Sequence, residues 1–522
     1  MSKKIYKTPG VYIEEVSAFP NSVEGVPTAV PAFIGYTPQA NHLGTDCIFV
    51  PTKITSFIEF ERIFCFPNSL DHVQQYSPQY YLVRENSKPR TGDFLLIGSE
   101  YYSIVPDAYT IYYLYNSLKL FYQNGGGDAY IVSVGGYGKA SGAAMQVGAP
   151  LVNPNVQLAD LLKGLAALKS EEEPTMYVCP EATLLSVAEN GTLMQEMLLQ
   201  NSEMKTAISI FDIIGGNREN PLGNNAEIEA FRNHTGTNGL AFGAAYYPFV
   251  GTTILGKHDL NYTNLFGGNL RTLTTIISSQ NPPEETTLEL LKSIYNADNS
   301  KSVNENHRDL LYISTTYNAI ISAVLEVANI LPASGGMAGV ITMVDNSRGV
   351  WKAPANVSMV GVATLPIKID QAEQEHLNVD TISGKSINAI RVFPGMGILV
   401  WGARTLDGNS LEWRYINVKR TVIFIEQSCK KACKPFVFEP NDANTWVRIT
   451  SMIENFLTIL WRQGGLAGSS PRDAYFVNCG LGVTMTTDDI LNGRLIVNIG
   501  VAITRPAEFI IISFSQQQMV ST

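Results

Sequence analysis

Apolar runs and amphipathic segments alternate along the middle of the chain. Short apolar runs are bounded by turn residues, and between them apolar positions recur at the three- and four-residue spacing of a helix. Strands that alternate with helices in this way predict a mostly parallel sheet with helices on its faces. The predicted strands are 128–134, 176–180, 207–213 and 240–247, and the predicted helices are 111–122, 158–168, 191–205 and 226–233.

The flanking segments follow other patterns. Residues 32–36 read as a short buried strand, and 50–59 as a strand followed by the start of a helix, with Thr55 or Ser56 as its N-cap. Turn signals dominate 67–106, which predicts a small β-rich insertion. Residues 252–309 are polar and loop-like and suggest an outer insertion, after which a helix is predicted over 316–330.

The C-terminal third mixes strands with one long amphipathic helix. That helix carries an apolar face from Trp446 to Leu460 and ends at Gly464. The predicted strands lie within 386–402, at 473–478, 494–503 and 508–513, and 414–425 is predicted as a strand running into a helix. The whole chain therefore predicts an α/β protein: a central, mostly parallel sheet with helices on both faces, an α+β C-terminal part, and an extended strand near each terminus.

Charge and composition narrow the classes of function. The chain has 522 residues, a formal net charge of −10 and only 16% charged residues. An acidic balance without a dense stripe of lysine and arginine argues against direct nucleic-acid binding. The N-terminus does not read as a secretory signal, and the longest uncharged stretch, 239–256, is broken by Pro248 and glycines. We therefore expect cytoplasmic synthesis and no membrane insertion.

No motif for catalysis, a cofactor or a metal stands out. The Cys429–Cys433 pair has no second pair and no nearby histidine, so two partly buried thiols on a helix face are favoured over a metal site. Ser383-Gly-Lys-Ser has the ending of a P-loop, but Val379 occupies the position of its upstream glycine. No serine-hydrolase elbow is found in the sequence. We predict no catalytic, cofactor-binding or metal-binding residues and a protein that is not an enzyme.

Several phrases, in order along the chain, together resemble the contractile tail sheath family of phage tails and contractile injection systems. Stretches 67–106 and 252–309 match none of the phrases that carry the resemblance. Those phrases are Thr8-Pro-Gly-Val-Tyr-Ile-Glu-Glu-Val, 26–37, 54–64, Phe121-Tyr-Gln-Asn-Gly-Gly-Gly-Asp-Ala-Tyr-Ile-Val, 332–340, 348–356, Gly395-Met-Gly-Ile-Leu-Val-Trp-Gly-Ala-Arg-Thr-Leu, 413–420, 440–446 and 493–514.

The resemblance implies an architecture and a set of partners. The central domain would be subtilisin-like in fold only, with no catalytic triad. The chain would form stacked hexameric rings around an inner-tube protein, with baseplate and terminal cap proteins as further partners, and would drive the tube outward when a metastable extended lattice shortens. The implied divisions are an N-terminal arm and linker (1–27), an N-terminal sheath segment (28–110), a central domain (111–385), a C-terminal domain facing the tube (386–505) and a C-terminal arm (506–522).

The resemblance also assigns roles to residues. Strands contributed by the two termini would join a small sheet on neighbouring subunits, with 17–26 as a hinge. The helix bearing Arg448 and Arg462 would face the inner tube, or would be ordinary core packing with solvated arginines. The strand residues are Val11, Tyr12, Ile13 and Val16 in the N-terminal arm, Leu495, Val497, Ile499 and Val501 in the receiving sheet, and Phe509, Ile510, Ile511 and Ile512 in the C-terminal arm.

Alternatives remain open at this point. An α/β hydrolase-like enzyme and a tubular shell protein that does not contract both fit the element pattern. The sequence favours an injection system over a phage, since its insertions are compact.

Overall fold

The computed structural model describes residues 23–66, 78–89, 94–218, 225–280, 282–296 and 300–511. Contacts divide the described residues into two compact units. The larger unit lies within Pro27–Ile423 and Arg505–Thr522, and the smaller within Met1–Val26 and Phe424–Thr504. The domain limits implied by the family resemblance stay a prediction.

The strands and helices have the following bounds. The strands are β1 Pro31–Gly35, β2 Asn41–His42, β3 Thr45–Asp46, β4 Thr52–Ile54, β5 Tyr80–Glu85, β6 Phe94–Ile97, β7 Glu100–Pro106, β8 Ala129–Ser133, β9 Met176–Val178, β10 Ile208–Asp212, β11 Gly243–Tyr247, β12 Val250–Thr252, β13 Ile330–Leu331, β14 Val362–Thr364, β15 Asn388–Phe393, β16 Gly397–Val400, β17 Tyr475–Asn478 and β18 Asn498–Val501. The helices are Phe57–Phe64, Leu114–Gln123, Leu158–Ala167, Val187–Met204, Ala226–His234, Leu270–Ser278, Glu285–Tyr295, Val303–Ile313, Thr315–Ala328, Ser334–Arg348, Gln371–Asn378, Ile416–Cys433, Ala443–Arg462, Pro471–Ala474 and Thr487–Leu491.

A large mixed sheet forms the centre of the larger unit. Its strand order is β16-β15-β11-β10-β9-β1-β8-β4. The six strands from β15 to β8 pair in parallel, whereas β4 and β16 pair antiparallel at the two ends. Strands β1, β8, β9, β10 and β11 are buried at every residue, as expected for parallel strands covered on both faces. The prediction of an α/β protein is confirmed, and the subtilisin-like comparison stays a prediction.

Local sequence signals correctly predicted the start of the helix Phe57–Phe64 and the end of the helix Leu114–Gln123. The Ser56 side chain accepts a hydrogen bond from the Glu59 amide, which makes it the N-cap of Phe57–Phe64. The helix Leu114–Gln123 ends at Asn124, and Gly125 follows with φ +89°, a conformation that glycine adopts without strain. At Gly126 an added Cβ would lie 2.5 Å from the Phe121 ring, so this turn also requires close approach.

The two insertions together build a second hydrophobic core. Strands β5, β6 and β7 form the predicted small sheet. The loop-like prediction for 252–309 is wrong, because this segment contains two helices and the start of a third, and all three share the second core with Thr315–Ala328. Their apolar stripes are narrow and interspersed with polar residues, which hid the helical spacing. The stripes contribute Leu273, Ile276, Ile277, Leu291 and Leu310 to the second core.

One carboxylate organises the helical insertion. Glu284 accepts hydrogen bonds from Thr316 N at 3.0 Å, Thr316 Oγ1 at 2.8 Å and Thr315 Oγ1 at 2.9 Å, and also from Ser314. These groups lie at the N-terminus of Thr315–Ala328, where a negative charge is favourable. Burial acts to raise the pKa of Glu284, but these hydrogen bonds outweigh it and leave the pKa below its ordinary value.

Two strands predicted near the C-terminus are shorter in the structure, and a third is not formed among the described residues. Residues 473 and 474 belong to a four-residue helix, and the strand starts at Tyr475. The strand predicted over 494–503 is confined to Asn498–Val501. Within the described residues, 508–511 form no strand in the single chain.

Two buried carboxyl groups cap helices at the carboxyl edge of the parallel sheet. Glu181 follows β9 and accepts from the Leu114 amide at 2.9 Å, while Asp212 ends β10 and accepts from the Ser334 amide at 2.9 Å. Burial raises the pKa of Glu181 to about 8 and that of Asp212 to about 7, against the opposing effect of these hydrogen bonds. Both carboxyl groups are therefore largely protonated below neutral pH in the folded chain.

The raised pKa of Glu181 makes stability depend on pH. Between the ordinary value of 4.5 and about 8, the unfolded chain loses this proton while the folded chain keeps it. The free energy of unfolding should therefore fall with rising pH, with a slope of at most about 1.4 kcal/mol per pH unit from this group. Glu181→Gln should flatten the fall and become stabilising relative to wild type at pH 8. Urea unfolding of both chains from pH 5 to 8.5 measures this, and parallel curves would contradict it.

Candidate inter-subunit surfaces

A partly buried ion pair holds the start of the C-terminal arm on the larger unit. Arg404 donates to the Glu508 carboxylate from Nε at 2.9 Å and from Nη2 at 2.6 Å, and Asn378 Nδ2 and the Tyr415 hydroxyl donate at 2.8 and 3.1 Å. The side chain of Arg404 is 4% exposed. The structure thus fixes Glu508 from three separate segments of the larger unit.

An exposed apolar run follows this ion pair directly. Phe509, Ile510 and Ile511 are 70%, 81% and 89% exposed, and they have no assigned secondary structure. Three adjacent large apolar side chains in water are unusual for a monomer and typical of a surface that another molecule covers. Ile512, the fourth residue predicted for this arm, lies outside the described residues. The predicted pairing of these residues with a neighbour stays a prediction.

The N-terminal segment is held in a comparable way. Arg420 forms a bidentate pair with Asp345, at 2.8 and 2.6 Å, and its Nη2 also donates to the carbonyl oxygen of Thr28 at 2.9 Å. Both charged side chains are nearly inaccessible, with exposures of 3% and 2%. The root of the N-terminal segment is therefore fixed on the larger unit at Thr28.

Part of the predicted hinge 17–26 is also held in place, within the smaller unit. The Val26 amide donates to Ser428 Oγ at 3.1 Å, and Gly25 lies so close to the Phe424 ring that an added Cβ would be 2.9 Å away. The remaining hinge residues 17–22 lie outside the described residues. So do the predicted N-terminal strand residues Val11, Tyr12, Ile13 and Val16.

The smaller unit contains the sheet to which two predicted receiving residues belong. Strands β17 and β18 pair antiparallel, with Val477 opposite Ile499 and Tyr475 opposite Val501. Leu495 and Val497 precede β18 and are not in the strand. Among the described residues, β17 and β18 form a sheet of two strands only. Two-stranded sheets are marginal in water, so a further strand would stabilise this one.

The long helix Ala443–Arg462 has a buried face and an exposed face. Ile449, Ile453 and Phe456 are buried, and the Phe456 ring lies 5.8 Å from that of Phe424. Arg448 and Arg462 are both exposed. Fourteen residues correspond to about four helical turns, so the two arginines share a side of the helix. Ordinary packing accounts for the buried face, and no contact in the single chain tests the predicted role of the arginines.

Thiol and metal chemistry finds little support in the structure. The six cysteines form no disulfide, and burial raises the pKa of the Cys429 thiol to about 12. Cys433 is partly buried on the same helix, as predicted. In the described ranges, no three histidine, cysteine or acidic side chains are grouped so that they could hold a metal ion.

None of the described helices is by itself long and apolar enough to cross a bilayer. The pair Val303–Ile313 and Thr315–Ala328 passes by length and composition, but the two helices are bent by 112° relative to each other.

The sequence and the fold both match known sheath proteins. Residues 285–406 match the family described as phage tail sheath protein central domain, and residues 409–517 match the phage tail sheath C-terminal domain. A tail sheath protein of Vibrio phage KVP40 is 27% identical over 169 residues, which is 30% of this chain and 24% of that protein. The chain thus spans about a quarter of the length of this curated relative.

Two solved structures resemble the chain over nearly its full length. The sheath of the extracellular contractile injection system PVC, in its contracted state, matches with a TM-score of 0.57 and 26% identity, covering 99% of both chains. The contracted helical sheath of the anti-feeding prophage matches with a TM-score of 0.58 and 27% identity, covering 98% of this chain and 100% of that one. Together with the two matched domains, these likenesses support the assignment of the chain to the contractile tail sheath family.

Proposed function

We propose that this chain is the structural subunit of a contractile sheath. It would polymerise as stacked hexameric rings around an inner tube and shorten to drive the tube through a target envelope. The observation that carries the proposal is the end-to-end likeness to two sheaths in their contracted states, one of them from an extracellular contractile injection system. The free energy for contraction would come from subunit contacts that are better in the short lattice than in the extended one. We infer a structural role and not a catalytic one, in keeping with the family.

The exposed surfaces support a polymer. Among the described residues, the apolar run Phe509–Ile511 pairs with no strand and β17–β18 form a sheet of two strands, so the run and the sheet are complementary in kind. A segment of one copy that pairs with a sheet on the next makes a head-to-tail contact, and such contacts generate rings or helices. Inner-tube, baseplate and cap proteins would be the further partners. We propose an injection particle, assembled in the cytoplasm, as the setting.

The direct test is electron microscopy of assembled particles. The full chain, produced together with its inner-tube and baseplate proteins, should give tubes with six-fold symmetry and two lengths, long before and short after mild urea treatment. Images that show a single length under both conditions would instead identify a tubular shell that does not contract. A chain that stays monomeric under all conditions would contradict the proposed sheath function.

We also propose that the exposed face carrying Arg448 and Arg462 contacts the inner tube. The double variant Arg448→Glu, Arg462→Glu should reduce recovery of the inner tube with the sheath severalfold, because it reverses two charges on one helix face. Assembly of the sheath itself should be unchanged. Co-purification of the two proteins measures this. The matched control is Arg472→Glu, an exposed arginine outside this helix, and equal tube recovery in all three chains would refute the contact.

A further inference from the structure

The Glu508 carboxylate is the fixed point between two exposed residues. Ala507 before it and Phe509 after it are exposed, whereas Glu508 is partly buried. Its carboxylate accepts four hydrogen bonds at 3.2 Å or less, which come from Arg404 Nε, Arg404 Nη2, Asn378 Nδ2 and the Tyr415 hydroxyl. A carboxylate with this set of donors has a single favourable position. Glu508 therefore attaches the described part of the C-terminal arm to the larger unit.

The donors come from three places in the larger unit. Asn378 ends the helix Gln371–Asn378, Arg404 follows β16, and Tyr415 precedes the helix Ile416–Cys433. Arg404 is itself held, since its Nη1 donates to the carbonyl oxygen of Asn378 at 3.2 Å and its amide donates to Asn388 Oδ1 at 2.8 Å. A pull on the arm would thus be distributed over several elements.

Chemistry favours a strong attachment here. Arginine holds a carboxylate through a planar fork, and such charged hydrogen bonds are stronger than neutral ones. Because Arg404 is almost fully buried, its charge would be left uncompensated if Glu508 moved away. Burial acts to raise the pKa of Glu508, but the hydrogen bonds and charge of Arg404 outweigh it and leave the pKa lowered.

We propose that Glu508 anchors the C-terminal arm to the larger unit. A neighbouring copy that binds Phe509–Ile511 then pulls on the larger unit through the Glu508–Arg404 pair. The proposal rests on the sheath function proposed above. It makes Glu508 and Arg404 positioning residues: they do not contact the neighbour, but they set where the arm begins. Without the anchor, the arm would still carry its apolar side chains but would no longer transmit the position of one subunit to the next.

Proteolysis of the unassembled full chain tests the anchor without reference to assembly. Chymotrypsin needs a flexible segment on both sides of Phe509, and Glu508 is the adjacent residue. Glu508→Gln keeps the shape of the side chain but removes its charge, so cleavage after Phe509 should become at least tenfold faster. Mass spectrometry of the released C-terminal peptide measures the rate. The control is Glu100→Gln, which removes an exposed ion pair with Arg84 and should leave the rate unchanged. An unchanged rate in Glu508→Gln would overturn the anchor.

Assembly gives the second readout. Glu508→Gln should produce at least tenfold fewer tubes than wild type at equal protein concentration, counted by negative-stain microscopy. Fast cleavage combined with normal tubes would overturn the proposed transmission of force. Should Glu508→Gln be recovered poorly, Tyr415→Phe removes one hydroxyl at 3.1 Å and should raise cleavage about threefold. A further variant, with Phe509, Ile510 and Ile511 replaced by serine, separates the two proposals. If this variant still forms tubes, the C-terminal arm is not an assembly contact and that part of the sheath proposal fails. The proteolysis result decides the anchor independently of this outcome.

Discussion

Tubes are expected to disappear when Phe509, Ile510 and Ile511 are replaced together by serine, while the folded chain remains intact. The three side chains are 70%, 81% and 89% exposed in the single chain, so the change removes nothing from either core. Burial of such side chains against a neighbour stabilises by about 1.5–3 kcal/mol each. Loss of all three should weaken each subunit contact by roughly a thousandfold or more. Negative-stain microscopy and sedimentation of purified chains measure the loss.

A matched control separates the arm from apolar exposure in general. Leu43, Ile382 and Leu411 are 92%, 93% and 76% exposed and lie outside the predicted arms. Their triple serine variant should assemble as wild type does. Deletion of residues 1–20, the other predicted arm, should abolish tubes as the first variant does. Normal tubes in the Phe509, Ile510 and Ile511 variant would show that this run is not an assembly contact.

Arg420→Ala is expected to destabilise the larger unit by about 3–5 kcal/mol, because it leaves a buried carboxylate without its partner. Arg420 and Asp345 are 3% and 2% exposed and bind each other through two hydrogen bonds. The same change frees the carbonyl of Thr28, so the N-terminal segment also loses its attachment. The free energy of unfolding in urea measures the effect.

The double variant Arg420→Met, Asp345→Leu tests the physical reason. With both charges removed, the penalty for an unpaired buried charge is absent, and the loss should be well below that of Arg420→Ala. Lys301→Met breaks a surface pair with Asp309 and should change stability by less than about 1 kcal/mol. A double variant as unstable as the single one would mean that packing around Arg420, and not charge pairing, dominates.

Prediction from the sequence worked where local rules decide the structure. Ser56 was recognised as a possible N-cap and Asn124-Gly-Gly-Gly as a helix end because the relevant hydrogen bonds are formed between residues a few positions apart. The buried parallel strands were recognised because covered strands are apolar throughout. The helices of the insertion were missed because their apolar stripes are narrow and interspersed with polar residues, although Asn269 and Ser302 cap two of them locally.

The candidate surfaces were only partly within reach of the sequence. Ile499 and Val501 were placed in the correct strand by alternation, whereas Leu495 and Val497 were included only because the strand was drawn too long. The roles of Arg404 and Glu508 were missed, since they meet across 104 residues. The available signal was a single acidic residue that opens an otherwise apolar run, and this charge was read as the start of a strand instead of a fixed point.

The second hydrophobic core offers a route for engineering this chain. It is closed by its own side chains, drawn from β5–β7 and from the helices between Leu270 and Ala328, and it forms a cluster distinct from that around the large sheet. Substitutions inside one cluster are felt mainly by its own members. This part of the chain can therefore be exchanged with the equivalent part of a relative, or enlarged to display a foreign domain, while the sheet and both arm attachments keep their sequence.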